Sequence, residues 1–202
     1  MKRTARTYRS TTERQLELLG VAARLIAEKG LAAATIPDIA AAAGLSVGAV
    51  YRHFKSKSTL VAALVETDAA RLREAIGKAA SDAADPIAAL HAWADVQLAD
   101  LADPVELGLR AEIIALATHD AAIRPSVVRH AEELEKRLRL LIVPAAETGS
   151  LADADPHAAV ELIASLMDGI LVRGAVVGRI SPDAAKLVRA ALAAVTGRKQ
   201  AR

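Results

Sequence analysis

Residues 35–60, TIPDIAAAAGLSVGAVYRHFKSKSTL, place two short helices, a tight turn and the start of a third helix within 26 positions. Thr35 can cap a first helix with Asp38 three residues on, Gly44 can end it, and Ser46 can cap a second helix running to about His53. The turn left between them is two or three residues long. That length suits a helix-turn-helix, in which the second helix enters a DNA major groove by its N-terminal end.

Aromatic residues sharpen the reading. The chain has one Phe, two Tyr and one Trp, and two of the four, Tyr51 and Phe54, fall in the tetrapeptide Tyr51-Arg52-His53-Phe54. On a helix Val50 and Phe54 share a face, directed towards Ile39, Ala40 and Leu45, whereas Tyr51, Arg52 and His53 point elsewhere. Phe54 is therefore expected in the core and the other three on the surface. A tyrosine that only covers apolar surface is the plainer alternative for Tyr51.

Charge is uneven along the chain. Residues 1–62 carry ten Lys or Arg against four Asp or Glu, and the remainder sixteen against twenty. A basic N-terminal module on an acidic body is the footprint of a protein that meets a polyanion at one end only. Lys2, Arg3, Arg6 and Arg9 suggest a disordered basic arm over residues 1–9 that follows a phosphate backbone or enters a minor groove, or else a solubilising tail. No apolar run follows this positive start, so it does not read as a signal peptide.

The body is expected to be all-α. Hydrophobic residues make up 53% of the 202, mainly Ala, Leu, Val and Ile, and strand-forming runs are scarce. Asp85-Pro86, Asp103-Pro104, Asp155-Pro156 and Ser181-Pro182 each set a capping side chain before a proline suited to the first helical position. Helices are predicted near 12–29, 36–43, 47–53, 56–80, 86–102, 104–118, 121–146, 156–177 and 182–196. Pro125 and Pro144 are expected to shorten or kink the seventh. There Glu132 with Lys136, Glu133 with Arg137 and Glu135 with Arg139 form an exposed face, opposite a buried stripe of Val127, Ala131, Leu134, Leu138 and Leu141. The eighth is highly apolar, yet Glu161, Ser165, Asp168 and Arg173 interrupt it too often for a membrane span. It reads as a helix buried on both sides, by its own core and by a second subunit.

The segment Leu18–Leu60 closely resembles the TetR family of bacterial transcriptional regulators. The likeness runs through Thr35-Ile36-Pro37-Asp38-Ile39-Ala40, Ala43-Gly44-Leu45-Ser46, Gly48-Ala49-Val50-Tyr51-Arg52-His53-Phe54 and Lys55-Ser56-Lys57. It departs at Ile26, where the family usually has an aromatic, and at Ala41 and Ala42, which replace polar residues often found on the second helix. The resemblance implies a three-helix DNA-binding head (residues 10–60) and a helical bundle for ligand binding and dimerisation (61–202). It implies phosphate contacts by Tyr51, His53 and Lys57, to which we add Thr35, and a base-proximal surface of Ser46, Val47, Gly48 and Ala49, to which we add Pro37 and Arg52. Since few of these side chains can hydrogen-bond a base, specificity is expected to rest on close backbone approach, thymine-methyl contacts and DNA shape. The run 145–170 resembles the C-terminal type of the betaine-pathway repressor and its relatives.

Pairing of the last two long helices across a two-fold axis, also implied by the family, would use Gly174, Gly178, Leu187, Ala191, Leu192 and Val195, with packing inside the chain an equal alternative for either glycine. A small-molecule effector, its identity open, would sit among the fourth to eighth helices. Trp93, Gln97, Arg110, Glu112, His119 and Met167 are the candidate pocket residues, being large or polar among many alanines. Core packing is the plainer role for Trp93 and Met167.

The expected partners are double-stranded DNA, an effector and a second copy of the chain, with no membrane. The chain has no cysteine, which removes disulfides and thiolate chemistry and fits a cytoplasmic protein. His53, His91, His119, His130 and His157 form no metal-binding or catalytic motif, and there is neither a phosphate-binding glycine loop nor a nucleophile elbow. No enzyme activity, cofactor or metal is therefore expected. The remaining alternative is a dimeric helical adaptor without sequence-specific DNA binding.

Overall fold

The computed structural model describes residues 11–147 and 155–196, and among these it contains nine helices and no strand. They are α1 (Thr11–Lys29), α2 (Ile36–Ala42), α3 (Val47–His53), α4 (Lys57–Asp82), α5 (Pro86–Leu101), α6 (Pro104–Ala117), α7 (Arg124–Glu147), α8 (Pro156–Val177) and α9 (Ala184–Thr196). The expected basic arm lies outside the described residues.

Local chemistry sets most helix starts. Asp85, Asp103 and Asp155 accept hydrogen bonds from the backbone N–H groups of Ala88 (2.9 Å), Val105 (2.8 Å) and His157 (3.1 Å), each just ahead of its proline. The Ser181-Pro182 pair behaves differently from expectation. Ser181 Oγ accepts from Asp183 N–H at 3.2 Å and closes a separate turn, so α9 begins at Ala184. Asp120 acts likewise, accepting from Ala122 N–H at 2.8 Å and delaying α7 to Arg124. Pro144 does not end α7, which runs on to Glu147.

Two hydrophobic clusters form. The head cluster gathers Leu18, Ile26, Ile39, Val50, Phe54 and Leu60, with Phe54 buried as expected. Leu45 does not join it. Beyond the left-handed turn at Gly44 (φ 65°), a conformation that glycine adopts without strain, Leu45 is left 38% exposed at the rim. The body cluster centres on Trp93, Leu138, Ile142, Ile163 and Leu171.

Two helices belong to both clusters. On α4, Leu60, Val61, Leu64 and Val65 pack in the head, and Leu72, Ile76 and Ala79 in the body. On α6, Leu109, Ile113 and Ala117 pack in the head, and Leu107 in the body. The boundary expected at residue 60 thus falls inside a continuous helix.

The exposed face of α7 is held by ion pairs Glu133–Arg137 (2.7 Å) and Glu135–Arg139 (3.5 Å). Its inner stripe needs one correction. Ala131 is exposed, and the inward line runs from Val127 through His130 to Leu134 and Leu138, so that a histidine occupies the place expected for an alanine.

Candidate nucleic-acid interface and ligand cavity

The reading end of the head is fixed by caps. Thr35 Oγ1 donates to Asp38 Oδ2 at 2.5 Å, while Thr35 Oγ1 accepts from Asp38 N–H at 3.2 Å and Thr35 N–H donates to Asp38 Oδ2 at 3.1 Å. These bonds hold the Asp38 carboxyl below the usual carboxylate range. Ser46 Oγ accepts from Ala49 N–H at 3.2 Å, which starts α3 one residue later. Pro37, Ser46, Val47, Gly48, Tyr51 and Arg52 are exposed, Ala49 is half-buried, and half-buried His53 packs its ring 6.4 Å from that of Phe54. A Cβ built on Gly48 meets no atom of the chain within 4 Å. Nothing in the packing of this chain requires glycine there, and alanine would favour the helix by about 1 kcal/mol.

Two residues expected at other sites bind the backbone of Leu31 behind the reading end. Lys57 Nζ donates to Leu31 O and, at 3.3 Å, to Ala32 O. Glu112 Oε2, from α6, accepts from Leu31 N–H at 2.8 Å. Lys57 is therefore a strut across the α1–α2 turn as well as part of the basic surface. Glu112 ties that turn to the body and does not line the cavity, and His119 is exposed in the turn after α6, also away from the cavity.

The cavity, of about 630 Å³, lies among α1, α4, α5, α6, α7 and α8, and its wall is mostly apolar. This is the size range of small-molecule sites. Four of the six expected residues, Trp93, Gln97, Arg110 and Met167, line it. At its polar end Arg110 Nη2 donates to Asp68 Oδ1 at 2.7 Å, and Arg110 Nη1 to Gln97 Oε1 at 3.4 Å. His130 Nε2 lies 3.6 Å from Asp68 Oδ2. Burial pushes the His130 imidazole below its usual value, against the pull of Asp68. Trp93 Nε1, Arg110 Nε and His130 Nδ1 are buried without a hydrogen-bond partner among the described residues. Asp68 and His130 escaped the sequence reading, yet each stands on an apolar stripe, Asp68 between Val65 and Leu72 and His130 between Val127 and Leu134. A polar residue in that register is the signal that would have found them.

On α8 and α9 the exposed face differs from the expected one. Gly174 packs inside the chain, where a Cβ would come 3.1 Å from Ile180 and 3.3 Å from Leu107, and Gly178 is the left-handed C-cap of α8 (φ 79°). Leu192 and Val195 are buried in the body core. What faces outward is Leu162, Ser165, Gly169, Val172 and Val176, alternating at spacings of three and four, together with Leu187 and half-buried Ala191.

A capped helix-turn-helix on a basic head, joined through two shared helices to a bundle with a cavity, defines a DNA-binding regulator. The N-terminal model of the bacterial regulatory proteins of the tetR family matches residues 18–64, and the C-terminal model of BetI-type transcriptional repressors matches residues 86–197. The chain belongs to the TetR family. It is 29% identical over 161 residues to the HTH-type transcriptional repressor AcnR of Corynebacterium efficiens, covering 78% of this chain and 79% of that one. With the repressor KstR2 of Rhodococcus jostii it shares 54% identity over 48 residues, 24% of each chain. A TetR transcription regulator from Haloarcula marismortui has the same fold, with a TM-score of 0.80 at 21% identity over 92% of this chain and 97% of the other. The relatives are regulators and not enzymes. Among the described residues no helix is long and apolar enough to cross a membrane.

Proposed function

We propose that the protein is a cytoplasmic repressor that binds an inverted-repeat operator as a homodimer and releases it when a small molecule fills the cavity. The observation that carries the reading is the N-terminal turn of α3, where the Ser46 cap holds an exposed surface and Gly48 leaves open space at its Cβ. Backbone at such a place can approach base edges closely. Thr35, Tyr51 and His53 meet phosphates, with Lys57 adding charge from behind the turn. Pro37, Ser46, Val47, Gly48, Ala49 and Arg52 lie nearest the bases.

One such helix reads too few base pairs to be selective. Two copies related by a dyad read half-sites about 34–36 Å apart, or a multiple. The outward stripe of α8, with Leu187 and Ala191, supplies the apolar face for that pairing. Because α4 and α6 belong to both cores, a ligand that moves them in the body moves the head and changes the spacing.

The test is selection of bound duplexes from a random pool by the purified protein at two salt concentrations. An enriched inverted repeat, with affinity falling steeply as salt rises, is expected. No enrichment from an intact dimer would sink the reading. Tyr51→Ala is expected to weaken binding to every sequence alike, whereas Gly48→Ala changes which sequence is preferred.

A further inference from the structure

The formal charges lining the cavity sum to zero, Arg24, Arg71 and Arg110 against Asp68, Asp103 and Glu106, and the most buried of them are paired. Arg110, with 15% of its side chain exposed, is bonded to Asp68 at 2.7 Å, and Arg71 at the rim to Glu106 at 2.9 Å. A second carboxylate, Asp100, stands 3.8 Å from Arg110 on the more exposed side. His130 adds no charge at neutral pH, because burial disfavours its protonated form. A bound anion would thus find its one buried cation already neutralised. A bound cation would find Asp68 already taken, and Trp93 is the single aromatic ring of the wall, too few for an aromatic cage.

Three buried polar atoms of the wall have no partner among the described residues, and of these the His130 ring nitrogen donates or accepts with its tautomer while the other two can only donate. Trp93 is 1% exposed, and among the described residues neither its indole N–H nor the Arg110 Nε–H has a partner. An acceptor brought against either would recover the cost of leaving a buried donor unpaired. Resting on the reading of this cavity as the effector site, we infer that the effector is an uncharged, mainly apolar molecule with a hydrogen-bond acceptor, such as a ketone or ester carbonyl, at the end that meets Trp93 and Arg110. Quaternary ammonium compounds and fatty carboxylates fit it poorly.

Trp93 is the chain's one tryptophan and stands in the cavity wall, so its emission reports binding at this place. The full chain is titrated with three probes that share an apolar tail, 2-nonanone, nonanoate and nonyltrimethylammonium. The ketone is expected to bind at least tenfold tighter than either ion. An ion that equals or exceeds the ketone overturns the inference and leaves the cavity reading standing. If none of the three changes the Trp93 emission, the cavity reading itself falls. Asp68→Asn frees the charge of Arg110 and is expected to raise nonanoate affinity at least tenfold relative to the ketone. Arg110→Gln, a second variant should the first not fold, is expected to move the preference towards the ammonium probe. An unchanged order of preference in a folded variant overturns the charge argument.

Discussion

The head and the body share two helices but treat their interiors in opposite ways. The head is closed: Ala34, Ile39, Val50 and Leu60 are wholly buried in one cluster with the chain's single phenylalanine. Between α1 and the body helices lies a cavity of about 630 Å³, and among the described residues the indole N–H of the body's largest buried side chain has no partner. The difference separates two requirements. A surface that must match a rigid duplex needs a filled core, because close packing transmits position with little compliance. A site that must take up a ligand needs unfilled space and unsatisfied donors, whose free energy is recovered on binding.

The largest effect should come from opening the head. Ile39→Ala removes a wholly buried side chain and is expected to cost about 2–5 kcal/mol. Since α4 and α6 carry side chains of both cores, head and body should still unfold together, with urea transitions followed by Trp93 emission and by helical ellipticity shifting in step. Two separated transitions would break the picture of shared helices. Next is Gly174→Val in the body, where the added atoms meet Ile180 and Leu107. Overpacking there should cost about 1–3 kcal/mol, read from the urea midpoint, with operator affinity of the folded protein unchanged.

Smaller changes sharpen the comparison. Thr35→Ala removes the α2 cap for about 1 kcal/mol, and amide exchange should quicken in α2 while the body amides stay as they were. The smallest effect is a pH dependence confined to the body. His130 has a lower pKa in the folded protein than its ordinary 6.5, so below that pH the unfolded chain binds the proton more readily than the native one. Stability should be full above pH 6.5 and decline as the pH falls from there towards the native value. Asp68 and Arg110 face this group, and Asp168 and Glu66 also act on it. His130→Gln should flatten the slope of the urea midpoint between pH 7.5 and 5.5; an unaltered slope would place its origin elsewhere.

The head could be read from sequence almost residue by residue, because its determinants are local. Thr35, Asp38, Gly44 and Ser46 act within four positions of themselves, and α2 and α3 start where these residues predict. The body was legible as helices, from its Asp-Pro pairs, but much less as a site. Whether Gly174 faces a partner or its own chain is decided by Ile180 and Leu107, and the second of these lies 67 positions away. Glu112 looked like a pocket residue because it is polar on an apolar helix. Its partner, the N–H of Leu31, is a backbone group 81 positions distant that no side-chain pattern announces. Asp68 and His130 are hidden in the sequence for a different reason: each is a single polar residue whose place shows only in its register on a buried stripe.

The backbone of Leu31 is bonded on both sides, its N–H to Glu112 of α6 and its C=O to Lys57 of α4. Insertions and deletions are therefore unequally tolerated along this chain. One residue added before Leu31 would carry its backbone out of reach of one anchor or the other, and one added between Leu31 and Thr35 would shift α2 and α3 relative to that anchored point. Six positions of loop thus have a fixed length, although the side chains of Ala32 and Ala33 within them are exposed. Sequence drift can alter what these positions present to solvent, but not how many of them there are.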